Sequence, residues 1–120
     1  MQTPPRHGDP LRVERSVQDS VVIVTAAGDV DMDTAPILLE ELIFAVAQAT
    51  PPAPVIVDLR DIEFFGSSGI AALLDAHQRC TQRDITLRVV ATPIVTKPLA
   101  ITGALPTVVI YTTLADALRG

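Results

Sequence analysis

Apolar positions recur along this chain with two periods, and the switches between them mark its elements. Leu11, Val13 and Val17 alternate loosely with charged or polar residues, and Val21-Val22-Ile23-Val24 then forms a continuous β-branched run closed by Gly28. The first group predicts an edge strand, the second a buried strand, and Asp19-Ser20 the turn between them. After Asp33-Thr34, Ala35, Leu38, Leu39, Leu42, Ile43 and Val46 follow the i, i+3, i+4, i+7 spacing of a helix with one buried face. Asp33 or Thr34 can cap its N-terminus, and Pro36 fits the first turn, where a missing N–H costs nothing. The segment Thr50-Pro51-Pro52-Ala53-Pro54 stops it.

Val55-Ile56-Val57 predicts a short central strand ending at Asp58, followed by a loop from Arg60 to Gly66. From Ser67 or Ser68 a second helix is expected to reach Gln82, with Ile70, Leu73, Leu74 and His77 on one side. Leu87 to Val90 and Val108 to Ile110 read as two more strands. Between them, Thr92-Pro93 reads as an N-cap with a first-turn proline and Gly103 as a helix end. Pro98 costs an interior helix turn about 3 kcal/mol, so this third helix must be short, kinked or displaced. Thr113 opens a last short helix with Leu114, Ala117 and Leu118 facing inward. The order predicts an α/β fold: a mostly parallel mixed sheet of four to five strands with one antiparallel edge, packed by about four helices.

Composition narrows the class. The 120 residues are the size of one domain, and the few aromatics (Phe44, Phe64, Phe65, Tyr111) leave the core to Val, Ile, Leu and Ala. Residues 1–10 hold three prolines and a glycine without periodicity and predict a disordered lead-in, with the folded domain over residues 11–120. A net charge of −5 with only nine Lys and Arg, spread along the chain, argues against nucleic-acid binding. The longest strongly apolar run, Val21 to Ala27, is far short of the ~20 residues of a membrane helix, and the start lacks a signal-peptide core, so no membrane role and a cytoplasmic location are expected. Cys80 is the single cysteine and excludes an intrachain disulfide; a buried, reduced thiol is expected.

The segment with functional information runs from Val55 to Ile70: a buried strand, the acidic-aromatic stretch Asp61-Ile62-Glu63-Phe64-Phe65, and Gly66-Ser67-Ser68-Gly69 opening a helix. It resembles the signature of STAS domains, the anti-sigma-factor-antagonist family, in which a strand ending in Asp-Leu is followed by an aromatic and then by Asp-Ser-Ser/Thr-Gly-Leu. Ala27-Gly28-Asp29-Val30-Asp31 is similar to the family's Gly-Glu-Leu-Asp turn, and Pro93 through Thr113 matches the layout of its closing elements. The resemblance covers residues 11 to 118.

It implies a protein that binds an anti-sigma factor with serine kinase activity, an ATP-binding partner, and thereby frees a sigma factor. Phosphorylation at Ser67, the first serine of the motif, would end that binding. Asp29, Asp31, Phe65, Gly66, Ser67, Ser68 and Gly69 are the implied contact residues, and Asp61 and Glu63 are expected on loops at the same end of the sheet. Weak self-association is left open. Gly66 stands where the family usually has Asp, and a glycine can neither orient the acceptor hydroxyl nor contact the kinase through a carboxylate; what it offers is a permissive backbone.

Other readings of the same residues exist. Ser67 and Ser68 alone read as helix caps; with the resemblance Ser67 becomes the acceptor, and Ser68 reads as a cap or a second-turn residue. Asp29, Asp31 and Asp33 read equally as a solvated turn with a helix cap; their spacing lacks the glycine and distal glutamate of a calcium loop, and no metal or cofactor is predicted. Gly66-Ser67-Ser68-Gly69 is one residue short of a nucleophile elbow, and His77 lies two to three turns from Ser67, so no serine hydrolase is expected. The rival function is a STAS-type module that binds a nucleotide or other small ligand, or a non-phosphorylated signalling scaffold. It lacks support from a P-loop lysine or a Gly-x-Gly-x-x-Gly run.

Overall fold

The computed structural model describes residues 10–120. A two-residue hairpin joins β1 (Arg12–Gln18) to β2 (Val21–Val30). Its turn residues Asp19 and Ser20 both have positive φ, 52° and 70°, the signs that a type I′ hairpin turn requires. From β2 the chain alternates: α1 (Ala35–Gln48), β3 (Val55–Phe65), α2 (Ser67–Gln82), β4 (Leu87–Val90), α3 (Pro93–Ile101), a 3-10 turn at Leu105–Thr107, β5 (Val109–Tyr111) and α4 (Leu114–Arg119).

The five strands lie side by side in chain order, β1 antiparallel to β2 and all later neighbours parallel. Crossovers that advance one strand at a time with one hand place their helices on one face. Accordingly α1, α2 and α3 share a core with Val22, Val24, Val55, Val57, Leu59 and Val89. The other face is covered by α4, whose Leu114, Ala117 and Leu118 pack on Ile23, Ile56 and Val90. Cys80 sits in the larger core, where burial pushes its thiol up to about 11 against the weaker pull of Arg83, so it stays protonated near neutrality. Among the described residues no helix is long and apolar enough to cross a membrane.

The expectation for the residues after Asp58 is corrected. The segment Arg60 to Gly66 is not a loop: β3 continues through it to Phe65, paired with β2. Thr25 pairs with Asp58 but Ala27 with Asp61, and Gly28 with Ile62 but Asp29 with Phe64, so β3 gains one residue on β2 at each of two irregularities. Its inward side chains therefore fall at Leu59, Ile62 and Phe65, a spacing of three that hides the strand period. Asp58 is buried in this strand and holds Arg60 through Nε (3.0 Å) and Nη2 (2.7 Å).

The lead-in expected over residues 1–10 falls outside the described residues except for Pro10. That residue's carbonyl oxygen would lie 2.5 Å from a Cβ on Gly28, whose φ of +109° also demands glycine. Pro98 is accommodated by a short α3 of nine residues, and the chain leaves this helix through Gly103 at φ +80°. The last strand is shifted by one residue, to Val109–Tyr111.

Candidate functional site

All four parallel strands end on the same side of the sheet, and the β2–α1 and β3–α2 corners meet there. Val30 pairs with Phe65, and the Gly66 N–H donates to the Val30 carbonyl at 2.9 Å, tying the corners together. Beyond Gly66 the chain turns directly into α2. Gly66 is the N-cap, with φ −90° and ψ −175°, and its carbonyl accepts from the Gly69 N–H at 3.0 Å.

This geometry changes the reading of Gly66-Ser67-Ser68-Gly69. Gly66 occupies a conformation open to any residue, so the permissive backbone expected of it is not used. What the glycine does is leave the cap without a side chain, and no side chain caps α2. Ser67 is the first helical residue, with an exposed side chain, and Ser68 follows it half-buried. Neither serine is the cap that the sequence allowed.

Gly69 is where glycine is indispensable. A Cβ there would lie 2.7 Å from Cε1 of Phe65 and 2.9 Å from Cγ1 of Val30. The first turn of α2 thus rests on the Phe65 ring, itself 4 % exposed. Phe65 and Gly69 support the serines from below and are not surface groups.

At the other corner Thr34 is the N-cap residue of α1, one of the two positions expected, but its side chain makes no capping bond to the helix, and Asp31 orders the turn that precedes it. Its Oδ1 accepts from the N–H groups of Asp33 (2.9 Å) and Thr34 (3.0 Å), while the Thr34 hydroxyl accepts from the Asp31 N–H (2.9 Å) and donates to the Asp29 carbonyl (2.8 Å). The Thr34 N–H bond above all holds the Asp31 carboxyl below its ordinary value, against desolvation. Asp29 belongs to β2 and is 3 % exposed, with Oδ2 lacking a partner among the described residues. It therefore offers no surface carboxylate, while Asp61 and Glu63 lie on β3, exposed, in place of the loops expected.

The sequence did not disclose the groove beside Ser67. It is an open, mainly apolar depression of about 650 Å³ between α2 and α3, lined by Ser67, Ile70, Ile94, Lys97, Pro98 and Ile101 among others. Val95 and Leu99 are buried on the opposite side of α3. Ile94, Lys97, Pro98 and Ile101 form a second i, i+3, i+4, i+7 face, which was the available signal. Ile94 and Ile101 are 46 % and 84 % exposed, so this face has no internal partner that covers it. A half-exposed apolar wall ending in a serine hydroxyl suits contact with another protein surface more than capture of a polar nucleotide.

A family model described as the STAS domain matches residues 12–117. The chain belongs to the STAS domain family. It is 33 % identical over 113 residues to the anti-sigma-F factor antagonist RsfB of Mycobacterium tuberculosis, covering 93 % of this chain and 90 % of that protein. The M. tuberculosis protein Rv2638, whose name places it provisionally with the anti-anti-sigma factors, is 34 % identical over 115 residues, 92 % of this chain and 78 % of that one. The crystal structure of an anti-sigma factor antagonist from Mycobacterium paratuberculosis superposes with a TM-score of 0.83 at 32 % identity, over 92 % of this chain and 93 % of the other.

Proposed function

We propose that this protein is an anti-sigma factor antagonist, which binds an anti-sigma factor with serine kinase activity and is released when Ser67 is phosphorylated. The names of its relatives support the first part. The observation that carries the second is the state of Ser67: an exposed hydroxyl at the first position of α2, with no capping role, at one end of an apolar groove. The contact surface in this reading comprises Asp31, Ser67, Ser68 and the α2–α3 groove, with Asp29, Phe65 and Gly69 shaping it from beneath.

The partner would bring the Ser67 hydroxyl to the γ-phosphate of its ATP. The Oγ–P bond forms, the bond to the β-phosphate oxygen breaks, ADP leaves, and the hydroxyl proton passes to a base of the kinase. The product carries about −1.5 to −2 charge at a helix N-terminus, where the local dipole favours an anion and the fold survives. An interface that accepted a neutral hydroxyl then faces a charge, at a cost of several kcal/mol if the partner surface is acidic or dry.

Intact mass spectrometry after incubation with ATP and each candidate anti-sigma kinase tests this reading. One added phosphoryl group, mapped to Ser67 and absent from Ser67→Ala, is the expected result. Binding to such a kinase without any phosphoryl gain would remove the switch and keep the partner class.

A further inference from the structure

Two grooves flank the first turn of α2, and their charges differ. The Ser67 groove has Lys97 as its charged lining residue. Lys97 is the single lysine of the chain, exposed, and makes no ion pair among the described residues. On the other side, Ser68 lines a groove between α1 and α2 of about 330 Å³, whose charged lining residue is Asp75. Asp75 is paired with Arg79 at 2.7 Å. A phosphate would thus share its groove with a cation on one side and with a carboxylate on the other.

We propose that Lys97 is the counter-ion of a phosphate on Ser67, joining α3 to α2 across the groove, and that this pairing favours Ser67 over Ser68 as the phosphorylated position. The inference rests on the reading of Ser67 as the phosphoacceptor. An ammonium on a flexible four-carbon stem presents three donors, and a phosphoserine presents three strong acceptors, so the two groups that line this groove are matched for charge-assisted hydrogen bonds.

The other charges at this end of the sheet come from other elements and are mostly acidic, with Arg60 of β3 paired to Asp58. The first turns of α2 and α3 carry no acidic residue. Asp31 and Asp33 lie at the β2–α1 corner, Asp61 and Glu63 on β3, and Asp29 is buried. Arg60 is committed to Asp58, and Lys97 is the cation that lines the groove of the phosphate itself. With the groove bridged in this way, phosphorylation would alter the apolar face of Ile94 and Ile101 as well as add charge.

The test uses the full chain with phosphoserine placed at position 67 during translation, so it does not depend on finding a kinase. Parent, Lys97→Gln and Lys97→Arg proteins are titrated by phosphorus NMR. A phosphoserine loses its second proton near pH 6. With Lys or Arg at position 97 this pKa should lie lower than with Gln, by roughly 0.5 unit or more, and the gap should narrow in about 1 M salt. Titration of Lys97→Gln like the parent would overturn the pairing. Phosphoserine placed at position 68 should titrate without regard to Lys97→Gln; an equal response there would overturn the preference. Failure of every kinase to modify Ser67 would count against the proposed function, and the titration answers separately.

Discussion

The β2–α1 and β3–α2 corners sit side by side and use their polar residues in opposite ways. At the first, Asp31 and Thr34 are committed to backbone groups of the same turn. At the second, the cap is a glycine and the exposed Ser67 side chain follows it. Neither helix receives a side-chain capping bond, so the difference lies in what orders the turn before it: at the β2–α1 corner, side-chain hydrogen bonds to the backbone. The β3–α2 corner instead takes its rigidity from apolar contact, through Phe65 and Val30 against Gly69, and leaves its serine available to another molecule.

The sharpest way to break this contrast is Gly69→Ala. Its Cβ would press into the Phe65 ring and Val30, and overpacking of this kind costs about 1–3 kcal/mol. A drop of that size in urea-unfolding stability is expected; an unchanged midpoint would show that apolar contact does not hold the corner.

Asp31→Ala should come next. It removes the acceptor for two N–H groups, so the melting temperature should fall further than in Ser67→Ala. The same group makes a pH prediction. Its pKa is lowered in the folded state from the ordinary 3.8, so its contribution is fully present above that value and is lost as pH falls through the lower folded pKa. Asp31→Asn should flatten that part of the acid profile, measured as urea midpoints from pH 6 down to pH 2. An unchanged profile would show that the carboxylate's charge is not what the corner uses.

Gly66→Asp should act weakly in the opposite direction. An N-cap Asp in place of Gly stabilises by a few tenths of a kcal/mol, and the Cβ meets the Phe64 ring at 3.3 Å, a side chain exposed enough to shift. Ser67→Ala should be the smallest effect, within about 0.5 kcal/mol. A larger loss in thermal melts would return Ser67 to a structural role and erase the difference between the corners.

Where the apolar period matches the element, the chain could be read directly. The α1 stripe, the Asp19-Ser20 turn, the start of α2 and the brake at Pro98 follow from local chemistry. The second half of β3 was hidden because two register shifts stretch its buried positions to Leu59, Ile62 and Phe65. Asp29 reads as a turn residue beside Gly28, yet its strand is long enough to carry it inside. The motif placed Ser67 at the head of α2, but which residues face it across the sheet end depends on how α3 lies against α2. That arrangement brings Lys97, thirty positions away, to the same groove.

The central claim is that one phosphoryl group on Ser67 ends partner binding. Calorimetric titration of the same anti-sigma factor into unmodified and Ser67-phosphorylated protein measures it most directly. An affinity at least about tenfold weaker for the phosphorylated form, equivalent to 1.4 kcal/mol or more, is the predicted result. Equal affinities would contradict the account.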